Sequence, residues 1–193
     1  MTQELILQNI TRHISLSPEE TALFLSLLEE KMIPKRSLIL KEKQPCNTIQ
    51  FVCSGTLRAY YIDQENREST VMFAIRDWWI TDMYCFLNRL PAMLCIEAVE
   101  PTVVLSLQID DLNRLYREVP KFERFFRIIM QNAYTREQLR MIENFSLSAQ
   151  ERYTRFLRKY PQIAKQVPQK QIASYLGITP VFLSMIRARM AGK

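Results

Sequence analysis

Between Lys121 and Asn144 the chain contains neither glycine nor proline, and its apolar residues recur three and four apart. Phe125, Ile128, Asn132, Thr135, Leu139 and Ile142 form one stripe, and Phe122, Phe126, Ile129 and Ala133 form a neighbouring one. Such a segment is a long helix whose broad apolar face has to be covered. It can lie against the chain's own body or against a second copy, with polar residues interrupting the seam. Phe122, Phe125, Phe126, Ile129, Ala133 and Leu139 are the candidate dimer residues on it.

What precedes that helix has a different texture. From Ile33 to Leu107 the stretches SLILKE, TIQFVCSGTLRAYYI, STVMFAI, LCIEAV and TVVLSL are short and rich in β-branched and aromatic residues. Turn-like segments such as DQENRE and EPT separate them, which predicts a small antiparallel barrel or sandwich. Gly55, between two strand runs, marks a turn with positive φ. Upstream, SPEETALFLSLLEE begins with a capping box, Ser17 and Glu20, with Pro18 at the first helical position. That helix is expected to end near Lys31. IDDLNRLYREVP reads as a helix capped by Asp110 and stopped by Pro120. SAQERYTRFLRKYPQIAKQ carries a second capping box, Ser148 and Glu151, and is expected to end at Tyr160.

Charge is divided unequally. Residues 1–117 hold 12 Lys/Arg and 15 Asp/Glu, and residues 118–193 hold 14 and 5, so the net charge of +6 comes entirely from the C-terminal part. A basic C-terminal end is either a solvated face or the footprint of a polyanion. Cys46, Cys53, Cys85 and Cys95 contain no C-x-x-C pair, so neither a metal site nor an iron–sulfur cluster is indicated. Buried reduced thiols are expected. MTQELILQNI lacks the basic start and long apolar run of a signal peptide, and no stretch is a membrane span. A cytoplasmic protein without membrane association is expected. His13 is the only histidine, no Ser/His/Asp or Cys/His set surrounds it, and no glycine loop cradles phosphate. The chain is therefore read as not an enzyme.

The stretch QKQIASYLGITPVFLSMIRARM, Gln169 to Met190, has the spacing of two helices joined by a sharp turn. Ile172, Ala173 and Leu176 suit a first helix packed closely on its neighbour. Gly177 suits a left-handed turn residue, and Ile178 a core plug. Thr179 and Pro180 supply an N-cap and a first-turn proline, and Leu183 and Ile186 return to the core. Such a helix-turn-helix places its second helix in the major groove. Gln169, Lys170, Thr179, Ser184, Arg187, Arg189 and Lys193 are candidate phosphate contacts, whereas Pro180, Val181 and Met185 occupy the positions that face bases.

With these segments in place, the whole chain resembles the Crp/Fnr family of bacterial transcription regulators. The resemblance rests on FVCSGTLRAYY, LCIEAVEPTVVLSL and VPQKQIASYLGITPVFLSMIRARM. It implies an α+β chain: an N-terminal antiparallel β-roll of cyclic-nucleotide-binding, jelly-roll type over residues 1–117, a dimerisation helix over 118–146, and an all-α helix-turn-helix over 147–193. It also implies a homodimer on double-stranded DNA, with a small ligand or RNA polymerase as further partners.

Three departures accompany the resemblance. Cyclic-nucleotide-binding members carry a Gly-Glu pair for the ribose and, ten residues after the Glu, an Arg for the phosphate. Thr81 and Asp82 stand at the pair and Ala92 at the Arg, with Arg89 three residues away. Without that arginine, an interaction of about 1.5–3 kcal/mol is missing, which speaks against cyclic AMP. No cofactor is expected. An effector of other chemistry is expected near Trp78, Trp79, Thr81, Asp82, Tyr84, Arg89 and Ala92, unless the aromatic side chains are simply core. The base-facing positions are apolar where Arg and Glu are expected, which leaves thymine methyls, DNA shape and dimer spacing for recognition. Finally, the sequence stops at Lys193, so a helix-turn-helix without a wing is expected. The competing reading is a ligand-sensing or protein-interaction module that has lost sequence-specific DNA binding.

Overall fold

The β-branched runs pair as two four-stranded antiparallel sheets. The structure, a computed structural model, describes residues 2–191. One sheet has the order β1 (Leu28–Ile33), β8 (Thr102–Gln108), β3 (Thr48–Ser54), β6 (Trp79–Ile80). The other has the order β2 (Leu38–Leu40), β7 (Leu94–Ala98), β4 (Thr56–Ile62), β5 (Glu68–Ile75). Their facing side chains, among them Ile49, Phe51, Leu57, Ala59, Ile96, Val104 and Leu107, form one dry core. Gly55 joins β3 to β4 at φ +83°, and a Cβ there would lie 2.6 Å from the Pro101 carbonyl oxygen. Only glycine meets both conditions.

Two helices precede the roll. The first, α1 (Thr2–Thr11), buries Leu5, Ile6 and Ile10 against it. Asn9 of α1 accepts from Trp79 Nε1 at 3.1 Å and donates to Asp77 at 2.9 Å, which ties the aromatic segment to α1. The second, α2 (Pro18–Ser26), starts at the expected Ser17–Glu20 capping box. It ends earlier than expected, because Leu28–Ile33 pairs along its length with β8. LEEKMI has no strand pattern of its own, and tertiary pairing overrides its helical composition. The aromatic segment itself forms β6 and α3 (Met83–Asn88). Next, α4 (Ile109–Glu118) opens at Gln108, slightly before the expected cap, and Asp110 lies within its first turn.

The long helix is α5 (Lys121–Ser146). Its first turns enter the roll core. Phe122 stacks on Phe24 with centroids 4.9 Å apart, and Phe126 meets Trp79 edge-on at 5.4 Å. Phe122, Phe125 and Phe126 are buried, so they cannot form a dimer seam as expected. Ile129 packs on the same core and Ala133 is partly covered. Only Leu139 of the six candidates is exposed, and it is joined by Tyr134, Met141, Ile142 and Phe145.

Beyond α5 lie α6 (Ala149–Lys159), begun by the Ser148–Glu151 capping box, and a short α7 (Pro161–Gln166) that the sequence does not separate from it. They lead to α8 (Gln169–Tyr175) and α9 (Pro180–Ala191). Tyr153, Phe156, Ile163, Ile172, Ala173, Leu176, Leu183 and Ile186 form a second core. Phe73 of β5 and Val99 belong to that core too, so the C-terminal helices sit on the roll.

Candidate DNA interface and effector cavity

The α8–α9 pair is built as its sequence dictates. Ile172, Ala173 and Leu176 are buried between the helices, and Gly177 turns the chain at φ +67°. The Ile178 amide donates to the Ala173 carbonyl at 3.0 Å, which closes the turn. Arg152 of α6 clamps it by donating to the Leu147 carbonyl at 2.8 Å and the Leu176 carbonyl at 3.2 Å. Thr179 Oγ1 accepts from the Phe182 amide at 3.1 Å, so it caps α9 as expected.

With Leu183 and Ile186 buried, the opposite side of α9 is open. Pro180, Val181, Ser184, Met185, Arg187 and Arg189 are all exposed, as are Gln169 and Lys170 at the start of α8. Val181 is 72% exposed and Met185 47%, so two apolar residues stand where a polar reader is usual. Among the described residues no carboxylate lies within ion-pair distance of Lys165, Lys170, Arg187 or Arg189. Lys193 lies outside the described residues.

This pair of helices is docked on the free edge of β5. Ser174 of α8 accepts from the Thr70 amide at 2.8 Å and donates to the Glu68 carbonyl at 3.0 Å, standing in for a neighbouring strand. Gln171 donates to Glu97 at 3.1 Å. Behind these bonds lies Arg58, 2% exposed, which holds Glu68 at 2.7 Å, Glu97 at 2.9 Å and the Thr70 hydroxyl at 2.9 Å. Its guanidinium lies 4.2 Å from the Tyr60 ring centre. Burial, with Glu97 adding to it, pushes the Tyr60 hydroxyl well above its ordinary pKa.

A cavity of about 460 Å³ opens at the mouth of the roll beneath α5. Of the residues singled out in the sequence, Trp78, Trp79, Thr81, Asp82 and Tyr84 line it. Arg89 and Ala92 do not. Arg89 ends α3 in a left-handed conformation and pairs with Asp110 at 2.5 Å, and Ala92 is buried in the core. The Asp82 carboxylate is engaged by the backbone. It takes the Met93 amide at 2.8 Å, the Leu94 amide at 3.0 Å and the Cys85 amide at 3.4 Å. The Thr81 hydroxyl is likewise committed to the Thr48 carbonyl at 2.9 Å. These two residues hold α3 and the start of β7 in place.

Trp79 is a core residue tied to Asn9, whereas Trp78 faces both domains: its ring meets Tyr160 edge-on at 5.8 Å, and Arg136 lies 4.6 Å over it. Several lining residues that the sequence does not point to come from α5. Met130, Asn132, Arg136 and Glu137 complete the cavity wall, together with Ile129 and Ala133. The signal was present as the second apolar stripe, which faces the roll. Arg136 is the only cation among the described lining residues, and Glu137 stands 3.8 Å from it. Ile49, Ala59, Met72 and Leu94 make the rest largely apolar, a composition suited to a ligand less anionic than a cyclic nucleotide.

A β-roll with a cavity of about 460 Å³ is closed by a long helix that leads to a helix-turn-helix pair. Residues 30–119 match the family model described as a cyclic nucleotide-binding domain. In fold the chain is of the Crp/Fnr type. It resembles a crystal structure of a putative Crp/Fnr transcriptional regulator from Eubacterium rectale at TM-score 0.72 and 18% identity, over 89% of this chain and 82% of that one. FixK2 from Bradyrhizobium japonicum matches at TM-score 0.72 and 17% identity, over 86% and 85%. By sequence the chain is 22% identical over 174 residues to the anaerobic regulatory protein of Pasteurella multocida, covering 83% of this chain and 62% of that relative. Among the described residues no helix is long and apolar enough to cross a membrane.

Proposed function

We propose that the protein is a dimeric, DNA-binding transcription regulator whose roll takes a small, weakly charged effector. The observation that carries this reading is α9: it is anchored on one side by Leu183 and Ile186, and its free side ends in Arg187 and Arg189, exposed cations with no ion pair among the described residues. Gln169, Lys170, Thr179, Ser184, Arg187 and Arg189 contact phosphates, and Val181 and Met185 meet thymine methyls. The seam between copies runs along Tyr134, Leu139, Met141, Ile142 and Phe145 of α5, an exposed apolar face that water alone would otherwise cover. The protein requires no catalytic group and no metal, and it works in the cytoplasm. RNA polymerase is a further partner in this reading.

Selection from a random duplex pool tests it. The expected product is a palindrome with T-rich half-site cores. Enrichment of no sequence, with binding still steeply salt-dependent, would favour a second reading that the apolar reader face itself supports. In that reading Val181, Phe182 and Met185 contact another protein and the sequence code is lost.

A further inference from the structure

We propose that the cleft between α5 and α6 is a binding site for a small organic polyanion of nucleotide-like chemistry, with phosphate groups and a flat ring. This cavity, about 490 Å³, lies on the far side of Arg136 from the effector cavity, and Arg136 lines both. Arg136 and Arg140 from α5 and Arg152, Arg155, Arg158 and Lys159 from α6 converge on it. Two carboxylates offset them in part. Glu143 pairs with Arg155 at 2.7 Å, and Glu137 pairs with Arg140 at 2.7 Å. The remaining positive charge is unmatched. Like charges gathered in a partly enclosed space raise each other's free energy, and a bound anion relieves that strain.

The chemistry of the walls narrows the ligand. Guanidinium groups favour phosphate through paired hydrogen bonds. Arg152, which lines the cleft, has its Nε buried without an acceptor among the described residues, while its terminal nitrogens hold the Leu147 and Leu176 carbonyls. The floor is aromatic: Arg140 lies 5.1 Å from the Tyr175 ring centre, and Lys159 lies 5.3 Å from that of Tyr160. A bare inorganic anion would use the cations and leave the rings idle, whereas a ligand with a flat apolar part uses both. The cleft straddles Leu147, where α5 ends and α6 begins, so a ligand bridging the two helices fixes their angle.

Calorimetric titration of the full chain with ATP, and separately with inorganic pyrophosphate, tests the site. One ATP per chain is expected, with pyrophosphate binding more weakly. The triple variant Arg155→Gln, Arg158→Gln, Lys159→Gln should weaken ATP binding at least about tenfold. All three residues are exposed, so the fold should survive, and circular dichroism checks it. Ala133→Phe, which obstructs the roll cavity, and Lys170→Gln with Arg187→Gln on the reader face should leave ATP binding unchanged. The proposal is overturned if ATP does not bind, or if binding follows either control set rather than the triple variant. It is also overturned if the triple variant loses affinity for duplex DNA while ATP fails to bind, because the cleft would then serve the DNA backbone.

Discussion

At the scale of single residues, position and role come apart most clearly at Asp82. It occupies the place of a sugar-binding carboxylate, yet it serves three backbone amides around α3 and β7. Asp82→Ala should therefore destabilise the fold by about 3 kcal/mol, read as a lower urea midpoint at unchanged slope, because buried donors lose their acceptor. An unchanged midpoint would return Asp82 to the ligand. The four cysteines are buried and unpaired, as expected from their spacing. Burial pushes the Cys53 thiol up to about 11. A thiol whose folded value is raised stabilises the fold fully below its unfolded value and loses that contribution as pH climbs through the folded one. The urea midpoint should thus fall between pH 9 and 11, and native Cys53 should resist alkylation at pH 8. The half-buried Tyr116 hydroxyl, pushed up to about 12 chiefly by desolvation, acts in the same direction.

Secondary elements with a local cause were legible in the sequence. Both capping boxes, the Gly55 turn and the glycine turn of the reader stand where their residues put them. Elements decided by distant partners were not. LEEKMI becomes β1 only because β8 pairs with it, and the two-residue β6 exists only beside β3. The same limit explains the dimer residues. Two adjacent stripes on α5 look alike in sequence, and only the roll decides that Phe122, Phe125 and Phe126 go inside. The two faces respond differently to substitution. On the seam proposed along α5, Ile142→Glu should give a monomer in sedimentation while leaving the fold intact, since a charge would then face the second copy. Phe125→Ala should cost about 3–5 kcal/mol of stability through the cavity it leaves. A monomeric Phe125→Ala protein of undiminished stability, beside a dimeric Ile142→Glu protein, would reverse the assignment.

Across the whole molecule, the least legible feature is the docking of the α8–α9 pair on the roll. Ser174 and Gln171 are ordinary helix residues until β5 offers its unpaired edge and Glu97 its carboxylate. That docking spans most of the chain, and no local pattern encodes it. The charge division, by contrast, could be read from composition alone, and the structure leaves Lys170, Arg187 and Arg189 exposed along the reader. In the proposed function these cations would release counterions from DNA, so each phosphate left without its cation should flatten the dependence of log affinity on log salt by about 0.9. The most direct measurement is that slope for the wild-type chain and for Arg187→Gln with Arg189→Gln, on one duplex over a range of salt. A steep wild-type slope that flattens in the double variant, with the fold unchanged, is the predicted result. Identical slopes would contradict a reader that meets DNA through the end of α9.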